Sequence, residues 1–156
     1  MLEITASKLL EAPADAVWRL LEDFGAIRDW WPTDVSAPIE HVTVEGQGVG
    51  MIRHIHNRGA ACAVSERLDL IEPASRTLVL SIVGTRPRGI TAYVAEGQVI
   101  DLGDGRCRLD YHALVSTTPG MEDGVRRAVL KTWELMFRGL EDAARRGGVT
   151  RARANK

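Results

Sequence analysis

The sequence predicts one α+β domain in which a curved antiparallel sheet of seven strands wraps around a long C-terminal helix, with two short helices after the first strand. Three observations predict this fold. Residues 35–117 form short extended segments separated by turn residues, and a single long helical pattern follows Pro119-Gly120. The length of 156 residues, 45% of them hydrophobic, suits a single core. A strongly twisted sheet must bury its concave apolar face against another element, and an amphipathic helix that lies across this face can provide that element.

The N-terminal elements are a strand and two short helices. The strand covers residues 2–10, and Pro13 can open the first helix because its fixed φ suits the first helical turn. Asp15 in that turn complements the helix dipole. Gly25 ends this helix, and the second short helix is predicted over residues 27–31.

Six further strands are predicted in the middle of the chain. The turns between them are too short for the crossover that parallel strands require, so the strands form an antiparallel meander. The predicted strands cover residues 35–45, 49–56, 61–71, 77–83, 90–102 and 106–117.

The long helix is predicted from Glu122 to about residue 146, where Gly147-Gly148 ends it. Its apolar residues recur at intervals of three or four. Residues 1–146 are therefore predicted to form one domain, with residues 147–156 as a basic, disordered tail.

Composition argues against several classes of function. The net charge is −1 and no stripe of Lys and Arg is present, so nucleic acid is not an expected partner. No apolar run is long enough to span a membrane, and no leader pattern is present. Cys62 and Cys107 are expected to be reduced thiols of a cytoplasmic protein. No motif predicts a cofactor, and a homodimer is left open.

An ordered set of short motifs carries a resemblance to a known superfamily. The motifs are residues 12–18, Asp23-Phe24-Gly25, Trp31-Pro32, Gly48-Val49-Gly50 leading to Arg53, residues 65–69, and the closing helix with Leu135, Phe137 and Leu140. Together they resemble the polyketide cyclase/dehydrase branch of the helix-grip superfamily (START, birch-pollen-allergen-like, SRPBCC). The resemblance implies a cavity between the sheet and the C-terminal helix that binds lipids, hormones or polyketides, and some relatives catalyse cyclisation or hydrolysis.

Strand alternation sorts residues 51–57 into two faces, one with Arg53 and Ile55 and the other with His54 and His56. This stretch resembles the matching strand of plant abscisic-acid receptors, which implies that the Arg53 face points inward and that Glu66 is a cavity carboxylate. The sequence departs from those receptors in its lid loop, residues 58–62, and in the absence of Lys from residues 35–45. Recognition of a carboxylate hormone is therefore not implied.

Arg53 and Glu66 are expected on neighbouring strands, where they could pair. The pair could anchor a ligand carbonyl or hydroxyl, or it could be a buried ion pair that satisfies itself. Tyr93 and Tyr111 could offer hydroxyls to a ligand, or they could be core aromatics bonded to backbone. The remaining predicted lining is apolar and comprises Trp31, Leu80, Ile82, Val129 and Met136. Trp18 and Trp133 are predicted to be plain core.

His54 and His56 point the same way on their strand and could bind a metal only with a third ligand, such as His112 or Asp110. The alternative is that both histidines lie on the solvated face of the sheet. Because no compact ligand motif is present, no metal is predicted.

These observations favour a carrier or sensor that holds a hydrophobic small molecule, such as a lipid or an aromatic or polyketide-like metabolite. The alternative is a cyclase, dehydratase or hydrolase-type enzyme using Arg53, Glu66 and a tyrosine as acid-base groups. A third hypothesis is an accessory protein that acts on a partner.

Overall fold

The computed structural model describes the backbone of residues 1–154 and the side chains of residues 1–147, and it confirms the predicted fold. A single sheet of seven antiparallel strands curves around one long helix, with short helical segments after the first strand. The elements in chain order are β1 (Leu2–Leu10), α1 (Ala14–Glu22), a 3₁₀ helix (Phe24–Asp29), β2 (Ile39–Glu45), β3 (Ile52–Asn57), β4 (Val64–Glu72), β5 (Thr77–Ile82), β6 (Ile90–Gly103), β7 (Arg106–Thr117) and α2 (Glu122–Ala154).

The strand order in the sheet is β1-β7-β6-β5-β4-β3-β2, so that β1 and β2 are the two edges. Register shifts in the middle of strands show where the sheet bends. In β4 the register shifts between Leu68 and Leu70, and as a result Leu68 is buried while Leu70 is 43% exposed. An extra residue in one strand of a pair increases the local bend and twist. Such irregularities give the sheet the concave face on which α2 packs.

The helix α2 buries one face against the sheet and α1. Its buried residues recur at three- and four-residue intervals and belong to the same core cluster as residues of β1, α1 and β7: Val125, Val129, Trp133, Met136, Phe137, Leu140 and Ala144. At Gly139 a Cβ atom would overlap the carbonyl oxygen of Trp30 and crowd the ring of Pro32. Only glycine therefore allows the chain after the 3₁₀ helix to lie this close to α2.

Several element boundaries differ from the sequence prediction, among them the starts of β3 at Ile52 and of β4 at Val64 rather than at residues 49 and 61. The second helix is a 3₁₀ helix that starts at Phe24 rather than at residue 27. The second strand starts at Ile39 rather than at residue 35, because Pro38 has no N–H to donate to a strand ladder. Residues 35–38 therefore form an irregular segment, and residues 35–37 line the cavity described below.

The C-terminal helix is longer than predicted, since α2 continues through Gly147 and Gly148 to Ala154. Glycine weakens a helix by only about 1 kcal/mol relative to alanine, so it is an unreliable stop signal. The basic tail, residues 147–156, was predicted to be disordered. The side chains after residue 147 lie outside the described residues, and the disorder stays a prediction. Within residues 1–154, no helix combines the length and the hydropathy needed to cross a lipid bilayer.

Candidate functional site

A cavity of about 310 Å³ lies between the concave face of the sheet and α2. Strands β2 to β7 supply one wall, α2 supplies the opposite wall, and the 3₁₀ helix with residues 30–37 covers one end. Its lining is mostly apolar and aromatic. Among the described residues that line it, Arg53 and Glu66 are the only charged ones.

Arg53 and Glu66 face each other across β3 and β4, where they are register partners. The Arg53 Nε donates a hydrogen bond of 2.7 Å to Glu66 Oε2, and the Nη2 atom lies 2.5 Å from the same oxygen. Arg53 is 7% exposed, and the side chain of Glu66 is 17% exposed. The predicted pairing is therefore present, and it is largely shielded from bulk water.

Phe24 completes the environment of Arg53. The Arg53 Nη1 donates to the Phe24 carbonyl oxygen at 2.8 Å, and the guanidinium carbon lies 3.9 Å from the centre of the Phe24 ring. Arg53 is thereby held by an anion, a carbonyl and an aromatic face. Glu66, in contrast, uses only Oε2, and its Oε1 makes no hydrogen bond to any residue that the structure describes.

Tyr93 and Tyr111 lie on the inner faces of β6 and β7. The indole Nε1 of Trp133 donates to the Tyr93 hydroxyl at 3.3 Å, which leaves the Tyr93 O–H itself available as a donor. The Tyr111 hydroxyl has no hydrogen-bond partner in the part of the chain whose side chains are described. Burial raises the pKa of both phenols well above the ordinary value, so both are neutral donors at physiological pH.

The position of Tyr111 depends on Gly97, its register partner in β6. A Cβ atom at residue 97 would overlap the Tyr111 ring, so the ring lies flat across the glycine. On its other side Tyr111 makes edge contacts with Trp133 and Phe137, with ring centres 5.4 and 6.3 Å away. These contacts hold the hydroxyl at the cavity wall.

Trp30 and Trp31 close the end of the cavity beside the 3₁₀ helix. Trp30 is buried and Trp31 is half-buried, their ring centres are 5.7 Å apart, and both line the cavity. The buried Nε1 of Trp30 has no hydrogen-bond partner among the described residues, and the same holds for Trp18 in the core.

The structure brings most of the predicted site residues together around this cavity: Trp31, Arg53, Ile55, Glu66, Leu80, Tyr93, Tyr111 and Met136. Ile82 and Val129 are buried but do not line it. Ile82 instead lines a shallow depression with Arg86 and Val94, and Val129 packs in the core one helical turn from Trp133. The role of these residues in binding a ligand stays a prediction.

Other residues of the cavity wall were not predicted from the sequence, among them Phe24, Leu78 and Trp133. Alternation along β5 places Leu78 on the same face as Leu80, and the helical spacing of three places Trp133 beside Met136. These two signals were present in the sequence. Nothing local indicates that Phe24 contacts Arg53, because the two residues meet only through the tertiary fold.

The histidines of β3 lie on the face opposite to the cavity and have other partners. His54 Nδ1 lies 2.6 Å from Ser65 Oγ, and its Nε2 lies 3.1 Å from Glu45 Oε2. His56 stacks on His41 with ring centres 4.0 Å apart.

The third ligands considered for a metal also have partners. His112 Nε2 lies 2.9 Å from Glu3, and Asp110 forms an ion pair with Arg108 that lowers the pKa of its carboxyl group. Among the side chains described, no group of three or more candidate ligands is arranged to hold a metal ion.

Comparison with known proteins gives matches over nearly the whole chain. A family model described as "Polyketide cyclase / dehydrase and lipid transport" matches residues 1–148. No curated protein sequence is similar enough to count as a match.

Several solved structures share the fold. An aromatase/cyclase, Zhui from Streptomyces sp. R1128, has a TM-score of 0.73 at 21% identity, covering 93% of this chain and 94% of that chain. Norcoclaurine synthase from Thalictrum flavum, in complex with dopamine and hydroxybenzaldehyde, has a TM-score of 0.73 at 17% identity, covering 90% and 84%. A protein from Thermobifida fusca has a TM-score of 0.70 at 26% identity, covering 83% of each chain. The first two likenesses establish the fold only.

Proposed function

The chain belongs to the polyketide cyclase/dehydrase and lipid transport family, and from this premise we propose that it binds a hydrophobic small molecule in its internal cavity, as a carrier or sensor. The family description and the aromatase/cyclase likeness support a role in hydrophobic ligand binding or in cyclisation. Neither decides between the two.

The observation that carries the proposal is the cavity itself. Its volume of about 310 Å³ lies in the range of small-molecule sites, which are concave, mostly apolar and equipped with a few polar groups. The wall consists mainly of aliphatic and aromatic side chains, with one ion pair, two phenols and the neutral polar side chains of Ser36, Asn57 and Thr132. Burial of an apolar ligand there is favourable by about 25 cal/mol for each Å² of apolar surface removed from water.

Two features of the polar groups favour binding over catalysis. Burial raises the pKa of Tyr93 and Tyr111 further above neutral pH, so neither phenol releases its proton readily as a general acid or serves as a base. The ion pair with Arg53 engages one oxygen of Glu66. The two phenols and the ion pair are sufficient polar groups for a carrier, because a carrier has no transition state to stabilise.

The test uses an uncharged fluorescent probe, Nile red, together with native mass spectrometry of the purified protein to find a co-purified small molecule. Val64→Trp fills the cavity from β4, and Val94→Trp on the opposite face of the sheet is the matched control. Nile red should bind wild type and V94W alike, largely independent of salt, and should bind V64W at least about tenfold more weakly. Equal binding by V64W, with a normal thermal melt, would place the probe outside the cavity and refute the proposal.

A second candidate function is enzymatic, as a cyclase or dehydratase. The observation that favours it is that two polar groups at the cavity wall, Glu66 Oε1 and the hydroxyl of Tyr111, have no hydrogen-bond partner among the residues that the structure describes. Glu66 could take a proton from the carbon next to a ligand carbonyl, while a tyrosine O–H donates to the oxygen that becomes negative. The same carboxyl group would then return the proton.

This candidate can be tested with 2-tetralone, an uncharged bicyclic ketone with acidic hydrogens beside its carbonyl. In D₂O, an enzyme of this kind should accelerate hydrogen–deuterium exchange at that carbon, which NMR detects. Glu66→Gln should abolish the acceleration, and Tyr111→Phe should reduce it about 10²-fold or more. Binding of 2-tetralone without accelerated exchange would leave the carrier function and exclude this acid-base role.

A further inference from the structure

The charges at the cavity wall compensate each other. Arg53 is the only cation and Glu66 the only anion among the described residues that line the cavity, and they are bonded to each other. The remaining polar groups that line it include the phenols of Tyr93 and Tyr111, which stay neutral, and the indoles of Trp30 and Trp133. The wall therefore has no net charge to offer a ligand.

An anionic ligand finds no free counter-charge here. Arg53 already donates to Glu66 and to the Phe24 carbonyl, and its guanidinium carbon lies against the Phe24 ring. A carboxylate would leave water and would also approach the free oxygen of Glu66, which repels it. Desolvation of an anion without a dedicated partner is strongly unfavourable.

A cationic ligand meets the complementary problem. Glu66 is the only acidic group among the described residues of the wall, and its charge is neutralised by Arg53, whose Nε lies 2.7 Å from Glu66 Oε2. An ammonium group would lose its hydration on entering the cavity and would gain only a weak attraction to the Glu66 carboxylate, which is already paired with Arg53. The cost of desolvation is then not recovered.

An uncharged ligand with a hydroxyl group suits the wall better. Glu66 Oε1 has no hydrogen-bond partner among the described residues and can accept from such a hydroxyl. A hydrogen bond to an ionised acceptor is about twice as strong as one between neutral groups. The O–H groups of Tyr93 and Tyr111 can donate to a ketone or a second hydroxyl of the same ligand.

We propose that the cavity selects uncharged ligands that carry a hydroxyl or ketone group and discriminates against their carboxylate and ammonium counterparts. This inference rests on the proposed binding function and adds the chemical class of the ligand. The ion pair then determines the selectivity. Glu66 provides a hydrogen-bond acceptor in the wall, and Arg53 neutralises the negative charge that would otherwise attract cations.

The experiment compares three naphthalene probes that share one ring system and differ in charge at pH 7: 2-naphthol, 2-naphthoate and 2-naphthylmethylammonium. Isothermal titration calorimetry on the full chain measures the three affinities. The naphthol should bind at least about tenfold more tightly than either ion. A naphthoate or ammonium affinity within about tenfold of the naphthol affinity overturns the charge selection. If neither Nile red nor any of the three probes binds, the result refutes the proposed binding function and not the charge selection alone.

A variant reverses the expected order. Glu66→Gln removes the anion and leaves the Arg53 charge uncompensated, so naphthoate should gain at least about tenfold in affinity and overtake naphthol. Glu96→Gln, on the exposed face of β6, is the matched control and should keep the wild-type order. An E66Q protein that melts cooperatively but keeps the wild-type order overturns the assignment to Glu66. If E66Q does not fold, the ranking in the wild type decides alone.

Discussion

Arg53 and Glu66 form a buried ion pair, and the two residues differ in the hydrogen bonds that they make to the rest of the protein. Arg53 has a second hydrogen bond, to Phe24, whereas Glu66 has one oxygen free of protein partners among the described residues. Removal of one partner leaves an uncompensated charge in the wall. Such a loss costs about 3–5 kcal/mol, while removal of both is often close to neutral.

A double-mutant cycle tests this expectation. Glu66→Gln and Arg53→Met should each lower the free energy of unfolding by about 3–5 kcal/mol, and the double variant should recover much of the loss. Urea unfolding provides the measurement. Additive effects below about 0.5 kcal/mol each would contradict a buried pair. Nile red binding to the same four proteins shows whether the pair also anchors a ligand.

Gly97 is a residue whose importance only the packing reveals. A methyl group at this position overlaps the Tyr111 ring, which is held on its other side by Trp133 and Phe137. We expect Gly97→Ala to destabilise the protein by about 1–3 kcal/mol through overpacking. In a Tyr111→Val background the same substitution should cost much less, because the ring is gone. An equal cost in both backgrounds, measured by urea unfolding, would mean that the strand backbone, and not the ring, resists the change.

The helix α2 forms one wall of the hydrophobic core. Its larger buried residues, Trp133, Met136, Phe137 and Leu140, lie beyond Lys131. A chain truncated after Lys131 should be insoluble or lack a cooperative melt, because each large apolar residue contributes about 2–5 kcal/mol. A chain truncated after Gly148 should melt like the full chain. A cooperative melt of the shorter chain by circular dichroism would refute this dependence on α2.

The contact between α2 and the chain at Trp30 depends on Gly139. We expect Gly139→Ala to push α2 away from the Trp30 carbonyl, to cost about 1–3 kcal/mol and to weaken Nile red binding, since Trp30 and Trp31 close the cavity there. Gly124→Ala is the matched control in the same helix. Its Cβ meets nothing within 4 Å, so better helix propensity should raise stability by about 0.5–1 kcal/mol. Equal stability changes for the two variants would show that Gly139 has no packing role.

Stability at alkaline pH tests how the ionisable groups buried in the core affect the folded protein. Cys107 is fully buried on β7, and burial raises the pKa of its thiol from 9.0 to about 11. The folded protein then keeps a proton that the unfolded chain loses, so stability falls as pH rises from about 9 to about 11. The buried phenols of Tyr93 and Tyr111, whose pKa is also raised, add to the fall above pH 10.

The measurement is the urea midpoint as a function of pH. Cys107→Ala should flatten the curve between pH 9 and 10, whereas Cys62→Ala, at an exposed thiol, should leave its shape unchanged. An unchanged slope in the Cys107 variant would show that this thiol does not couple to unfolding.

Much of this architecture follows from local patterns in the sequence. Period-two segments and short turns determine the meander, and the i, i+3, i+4 spacing of α2 determines its buried face. Both patterns are properties of consecutive residues, so the strands and helices could be predicted in the right order. The inward direction of Arg53, by contrast, came from the family resemblance, since alternation alone leaves both faces open.

Only the tertiary structure decided which residues meet. Gly97 beneath Tyr111, Phe24 against Arg53 and Gly139 against the Trp30 carbonyl join segments that are distant in the chain. Ile82 and Val129 have the right polarity for the cavity wall but do not line it, because hydrophobicity predicts burial and not a position within the core. The sheet's curvature, set by bulges such as the one between Leu68 and Leu70, determines how closely the wall approaches α2. That distance depends on every strand at once, and no local pattern encodes it.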